Sequence, residues 1–381
     1  MIVKGLHGKV EFAVQRLIER ETGARTTYFE LTEQFSQGYM TPGLQELSVY
    51  YSNRMSYEEV EALIARLSGE RLLSDQRIEQ LVIDKAGEVS QRWAQAAEAQ
   101  DGATAAPLRV NPGVELYTAE VAEVRLFEDG IGVKAQKSWR APLGDETAAP
   151  EDADSPKRVT TDVVMRERRD GRYQYLCEGM DDQGQPLVTL EENVRRALQH
   201  DYGKHDGPLN VVSIGDGAST IRKSLQAIFG TPPAVILDWY HLDKKTRELM
   251  SMIARTKADK ERHLQVILGW LWVGQVDQAL AYLGTEVEVR HHDKHQELIG
   301  YLDKHRHEII DYGARQAVGK PIGSGRMEKG VDQVIGHRQK KKGMAWSAKG
   351  SKALGILKVV ELNDQWQQLW SPEEQELKAA A

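Results

Sequence analysis

The segment that most restricts the fold is Leu209-Asn210-Val211-Val212-Ser213-Ile214, a mostly apolar strand that stops at Gly215-Asp216-Gly217-Ala218. Beyond it, Ile221, Leu225, Ile228 and Phe229 recur at helical spacing. Pro232-Pro233 then breaks the helix, and residues 234–237 form a second short apolar run. Two strands joined through a helix in this way lie parallel, with a right-handed crossover. Upstream, residues 123–134 alternate around an Asp129-Gly130 step. Residues 159–167 and 172–179 read as two strands joined by Asp170-Gly171, a hairpin signal, and residues 187–202 read as a helix. Downstream, residues 241–319 read as helix with charged faces, and Gly323-Ser324-Gly325 opens a last long helix through Glu328. The order is therefore three antiparallel strands, helix, strand, helix, strand, helical block, helix: an α/β mixed sheet carrying an all-helical insertion.

The region in front of the sheet reads as helical. Ser56-Tyr57-Glu58-Glu59 has the form of a capping box, and Val60, Leu63, Ile64 and Leu67 follow on one helical face. A second helix starts after Ser74 with Ile78, Leu81 and Val82. The alanine-rich residues 100–107 read as a linker, and the acidic, proline-containing residues 144–156 as a solvated loop. The expected organisation is a helical region at 1–110, a core in two parts at 115–245 and 320–381, and a helical insertion at 246–319 between those parts.

Composition bounds the function classes. The chain has 381 residues, 40% hydrophobic and 28% charged, the balance of a soluble globular protein. Cys177 is the only cysteine, so there is no internal disulfide and no cysteine-based zinc site. No run approaches the roughly 18 apolar residues of a membrane span, and the first ten residues have no signal-peptide core. A cytoplasmic location and no membrane partner are expected. The formal net charge of −7 does not by itself favour nucleic acid. Only the binding face need be basic, however, and residues 333–360 contain no Asp or Glu while holding Arg338, Lys340, Lys341 and Lys342.

Three carboxylates stand where phosphoryl transfer by two metal ions needs them. That chemistry takes Asp and Glu converging from different elements, because Mg²⁺ prefers hard oxygen ligands. Asp216 sits at a strand end between two glycines, where parallel sheets build their sites. Glu328 lies in the first turns of a late helix, with Val331, Asp332, Ile335, Gln339 and Lys342 expected on the same side. Asp129 lies in the first strand of the core. The plainer readings are an Asp-Gly turn at Asp216, a helix-start Glu at Glu328 and a hairpin tip at Asp129, with Asp162 in the next strand as rival first carboxylate.

Residues 215–218 together with Leu237-Asp238-Trp239-Tyr240-His241-Leu242-Asp243-Lys244 resemble the middle of Kra-type and Lre-type insertion-sequence transposases. Gly325-Arg326-Met327-Glu328-Lys329, with Arg338 and Gly343-Met344-Ala345-Trp346-Ser347, resembles their third-carboxylate region. The similarity runs from about Asp129 to Trp346. It implies a ribonuclease-H-like core behind a helical DNA-binding region, and a DDE triad at Asp129, Asp216 and Glu328 holding two Mg²⁺ or Mn²⁺ ions. It also implies a prokaryotic enzyme that assembles as a homo-oligomer on double-stranded DNA and cleaves and joins element ends to target DNA. The more distant Mutator-like transposases have Cys-x-x-His where this chain has Asp238-Trp239-Tyr240-His241, so any shared role of that cysteine does not carry over.

Other features have two readings each. Asp238 and His241 either supply a fourth ligand, or support the metal ligands from behind, or simply end a strand and open a helix. His291, His292, His295, His305 and His307 lack tetrahedral ligand spacing and read as a solvated helical face. Arg338, Lys340, Lys341 and Lys342 either complement a helix end before Gly343 or hold DNA phosphates. The length of the acid-free stretch favours DNA. Trp346 either stacks on a base or packs in the core. The helices from Ser56 to Trp93 form either a helix-turn-helix that reads a groove or a plain hairpin, and the resemblance favours the former. Two rival functions remain: a ribonuclease-H-like nuclease or resolvase without joining activity, and a catalytically idle, transposase-derived DNA-binding protein.

Overall fold

The computed structural model describes residues 2–11, 13–14, 16–20, 22–23, 25–27, 39–102, 108–137 and 157–370. The acidic segment 144–156 and most of the alanine-rich 100–107 lie outside the described residues. The chain opens with two small hairpins where helix is expected: β1 (Ile2–Gly5) with β2 (Gly8–Glu11), then β3 (Arg16–Ile18) with β4 (Arg25–Thr27). Three helices follow, α1 (Pro42–Ser52), α2 (Tyr57–Ser68) and α3 (Asp75–Gly102). The capping box before α2 is present in full: the Ser56 hydroxyl accepts from the Glu59 amide while the Glu59 carboxylate accepts from the Ser56 amide.

The central sheet comprises β5 (Val124–Lys134), β6 (Arg158–Glu167), β7 (Tyr173–Leu176), β10 (Val211–Gly215) and β11 (Ala234–Leu237), in the spatial order β11-β10-β5-β6-β7. A minor hairpin, β8 (Gly179–Met180) with β9 (Pro186–Val188), precedes helix α4 (Leu190–Tyr202). Strands β5, β6 and β7 pair antiparallel, whereas β10 runs parallel to both β5 and β11. The parallel crossover from β10 to β11 through α5 (Ser219–Phe229) is the one the apolar pattern requires. Asp170-Gly171 makes the β6–β7 turn, with Gly171 at φ 79°.

Asp129-Gly130 is no hairpin tip. β5 runs through it for 11 residues, with Asp129 opposite Val163 and Gly130 opposite Asp162. A side chain at Gly130 would stand within contact distance of the Asp162 carboxylate, which is why glycine is tolerated in mid-strand here.

Both faces of the sheet are covered. Leu126, Val164 and Val211 face α4 and α5 through Val194, Leu198, Ile221 and Leu225. Phe127, Ile131, Val163, Met165 and Ile214 face a larger core that also takes in the helical block and the N- and C-terminal helices. The helical block begins at α6 (Trp239–Ile253), earlier than expected, and continues through α7 (Lys257–Trp272), α8 (Val276–Thr285), α9 (His292–Lys304) and α10 (Tyr312–Ala317). His295 and His305 are buried within it, so the histidine group is not uniformly a solvated face. His295 Nε2 lies 2.9 Å from the Leu283 carbonyl oxygen, and His305 Nδ1 lies 2.6 Å from Glu308.

The last long helix is not a uniform α-helix. It runs as α11 (Gly325–Val331), a π-helical turn (Asp332–Gly336) and the short α12 (His337–Gln339). The extra residue of the π turn rotates the helix beyond it. Val331, Ile335 and Gln339, expected on one side with Glu328, are buried while Glu328 is exposed. Next comes α13 (Ala348–Leu362), buried around most of its circumference by Ala353, Leu354, Ile356, Leu357, Val359 and Val360, and then α14 (Trp366–Trp370). α3 packs along α13 and against β8, so the N-terminal helices share the core of the sheet. No described helix is long and apolar enough to cross a membrane.

Candidate active site

Asp129 and Asp216 reach one edge, the rim of the sheet at the carboxyl ends of β10 and β11, for a reason of register. Ile214 on β10 pairs with Phe127 on β5, and alternate residues of a strand share a face. Asp129, two residues past Phe127 on β5, and Asp216, two past Ile214 and just beyond the end of β10, thus come to the same level of the parallel pair. Gly217 turns the chain with φ 81°. It packs so closely on His305 that a side chain there would meet the imidazole Nδ1 at 2.9 Å. The Asp216 carboxylate accepts from the Ala218 amide at 2.8 Å and is otherwise exposed.

Glu328 is brought to the same edge by Asp238. This aspartate is 1% exposed and caps α6 by accepting from the amides of Tyr240 at 2.6 Å and His241 at 3.2 Å. Its other oxygen accepts from both the amide and the hydroxyl of Ser324, the residue that starts α11. One buried carboxylate thereby fixes the starts of two helices, one carrying His241 and the other Glu328. Burial acts to raise the Asp238 pKa, but the hydrogen bonds from His241 and Ser324 outweigh it and hold the carboxyl below its usual range.

His241 sits between the two carboxylates. Its Nδ1 is 3.7 Å from Asp238 Oδ2 and its Nε2 is 3.7 Å from Glu328 Oε1. Asp238 raises the imidazole pKa above its ordinary value against the opposing effect of burial, and Glu328 and Asp216 add to the rise. Asp129 carries the electrostatic record of the same neighbours. Burial lifts its pKa, Asp216 and Glu328 lift it further by like charge, and the Gly130 amide and His241 work against the rise. Asp129 and His241 therefore both lie within the field of Asp216 and Glu328 at this edge.

Asp162 faces the other way. It lies on the α4 side of the sheet with Glu128, and its pKa is raised by burial and then by Glu178 and Glu191. Burial pushes the Glu128 carboxyl up to about 7, with Asp162, Glu191 and Asp216 adding to the shift.

The donor types at the first edge suit a hard divalent cation, since three carboxylates face a single imidazole. The side chains are not drawn tightly together: among the described residues no three His, Cys, Asp or Glu side chains form a group that holds a metal ion.

Two residues expected at a DNA surface are instead interior. Arg338 is 4% exposed, donates from Nε to the Ser52 carbonyl at 2.7 Å and lies over the Trp346 ring at 4.7 Å. Trp346 is 8% exposed and donates from its indole to the Gln339 carbonyl at 3.0 Å. The acid-free stretch has the same explanation, because much of it is the buried α13. Its lysines are engaged too: Lys352 pairs with Glu178, Lys358 with Glu361, and Lys349 donates to the Asp182 carbonyl.

Lys340, Lys341 and Lys342 remain exposed, with Lys341 donating to the Arg54 carbonyl at 3.2 Å. If these three lysines meet duplex DNA, replacing them with Ala flattens the log–log salt dependence of binding by about 0.9 for each phosphate no longer neutralised. Arg338→Ala is expected to act differently, lowering stability by about 1–3 kcal/mol through its lost buried hydrogen bond. Affinity at several salt concentrations beside a denaturant melt separates the two. An unchanged slope in the triple-lysine variant removes the lysines from any DNA path.

Sequence reasoning singles out Asp238 and His241 but not the tie from Asp238 to Ser324, which spans 86 residues and leaves no local signal. No family model, curated protein or solved structure matches the chain.

Proposed function

We propose that this chain is a DDE-type transposase with a ribonuclease-H-like core, acting on double-stranded DNA by metal-dependent strand cleavage and strand transfer. The observation that carries the reading is the shared edge. Asp129 on β5, Asp216 just past β10 and Glu328 on α11 come from three elements, and Asp129 lies in the field of the other two. Support also comes from the sheet, whose strand senses follow the element order expected of such a core. The motif residues Asp216, Asp238, His241 and Glu328 each contribute to that edge.

Asp129, Asp216 and Glu328 would hold the Mg²⁺ or Mn²⁺ ions. Bound there, such ions supply an activated attacking oxygen and stabilise the leaving oxygen of the phosphodiester. The chain's own work is placement. Asp238 fixes the start of α11, hence the position of Glu328, and orients the helix that carries His241. His241 places its Nε2 3.7 Å from Glu328 Oε1, and the partly buried flank of Asp129 limits water around its carboxylate.

The test is a reaction of purified protein with labelled DNA from the ends of the element that encodes it, with and without Mg²⁺. Cleavage that frees 3′-hydroxyls and joins them to target DNA is expected. Cleavage without joined product assigns the chain to the nuclease alternative, and binding without any divalent-dependent cleavage assigns it to the idle DNA-binding alternative.

A further inference from the structure

We infer that the first two turns of α6 form a platform for an unpaired base and its phosphate, with Tyr240 as the stacking surface and Lys244 as the phosphate contact. This rests on the DNA-processing reading and adds to it how a strand is held beside the carboxylates. Tyr240 is 60% exposed, unusual for a large aromatic in a folded chain. It is not loosely placed. Its amide is bound by Asp238 at 2.6 Å, and its ring lies against Gly323, where an added Cβ would meet ring carbons Cδ2 and Cε2 at 2.5 and 2.7 Å. The ring is thus fixed on one side by backbone and open to solvent elsewhere.

Its position is the second observation. Tyr240 immediately precedes His241, whose Nε2 is 3.7 Å from Glu328. Gly323 immediately precedes Ser324, the residue Asp238 holds at the head of α11. A rigid aromatic beside phosphate chemistry is what a base turned out of a duplex or a strand end needs, because every base has a π-face and stacking tolerates any sequence. Lys244 follows one helical turn later on the same face, is exposed, and makes no ion pair among the described residues. A base on Tyr240 and a phosphate on Lys244 are adjacent parts of one strand.

The probe is an oligodeoxynucleotide with 2-aminopurine at its 3′ end, titrated with full-length protein in magnesium buffer. Stacking on Tyr240 quenches the probe. Tyr240→Phe is expected to keep the quench, whereas Tyr240→Leu loses it and weakens binding about 5- to 150-fold. Lys244→Ala weakens binding while leaving the quench at saturation. An unchanged quench in Tyr240→Leu overturns the inference, as does a change in oligomeric state with strand binding intact, which would make the patch a protein contact. If wild-type protein binds neither this probe nor duplex DNA, the functional reading has failed instead. The melting temperature of each variant, compared with wild type, shows whether a lost signal reflects unfolding.

Discussion

Asp216→Asn and Glu328→Gln are each expected to reduce strand cleavage by about a thousandfold or more, equivalent to about 4 kcal/mol of barrier, with DNA affinity changed only a few fold. On the proposed function, either substitution removes one anionic oxygen from a site that would hold cations against a phosphodiester. Phosphate contacts elsewhere survive. Asp129→Asn belongs with these two, because Asp129 shares their face of the sheet and their field. Asp162→Asn is the internal control. Asp162 sits beside Gly130, one position away, but on the opposite face with Glu128, and its loss is expected to leave cleavage intact. A labelled-end cleavage assay on the four variants reads this directly. Cleavage retained by Asp129→Asn and lost by Asp162→Asn would move the first carboxylate to the other side of the sheet.

The second large effect is structural. Glu123, just before β5, has a side chain 1% exposed and meets the Arg315 guanidinium in two parallel bonds of 2.8 Å. Lys320 joins the same carboxylate at 2.9 Å. Arg315 also donates to the carbonyls of Pro321 at 2.8 Å and Leu116 at 3.1 Å. The cluster fastens the end of the helical block to the first strand of the core, close to where the chain turns toward α11. Glu123→Ala leaves two buried cations uncompensated and is expected to cost about 3–5 kcal/mol. Burial acts to raise the Glu123 pKa, but Arg315 and Lys320 outweigh it and lower the pKa in the fold. Its contribution is therefore present in full above the ordinary glutamate pKa of 4.5 and fades as pH falls below it toward the folded value. Denaturant melts of wild type and variant at neutral pH and near pH 3 check both parts. A loss under 1 kcal/mol at neutral pH would show that the cluster is not a fastening.

The order of elements is readable because each signal is local: the apolar run that ends at Gly215, the Asp170-Gly171 turn, the Ser56 capping box. The unreadable features depend on partners distant in sequence. Arg338 looks like one of four cations at a helix end, and nothing in its neighbourhood reveals that Ser52 takes its Nε hydrogen. The absence of acid from 333–360 looks like a DNA-facing surface, yet much of the stretch is α13, a helix buried around most of its circumference whose lysines are engaged within the protein. Asp129-Gly130 carries a turn signature, but β6 pairs straight through it because Gly130 leaves room for Asp162. The π turn after Val331 shifts the helical face by an amount that no 3.6-residue pattern contains. The candidate carboxylates are legible as residue types at strand and helix ends. That Asp129 and Asp162 fall on opposite faces comes from the pairing register alone.

Whether Asp129, Asp216 and Glu328 share a cation is decided by anomalous diffraction from crystals equilibrated with Mn²⁺. Manganese peaks are expected between these three carboxylates, with two ions about 3.5–4 Å apart once DNA is bound, and the peaks are expected to vanish in the Glu328→Gln protein. Peaks on the opposite face among Glu128, Asp162 and Glu191, or none at either face in crystals that hold DNA, would contradict a shared cation at this edge.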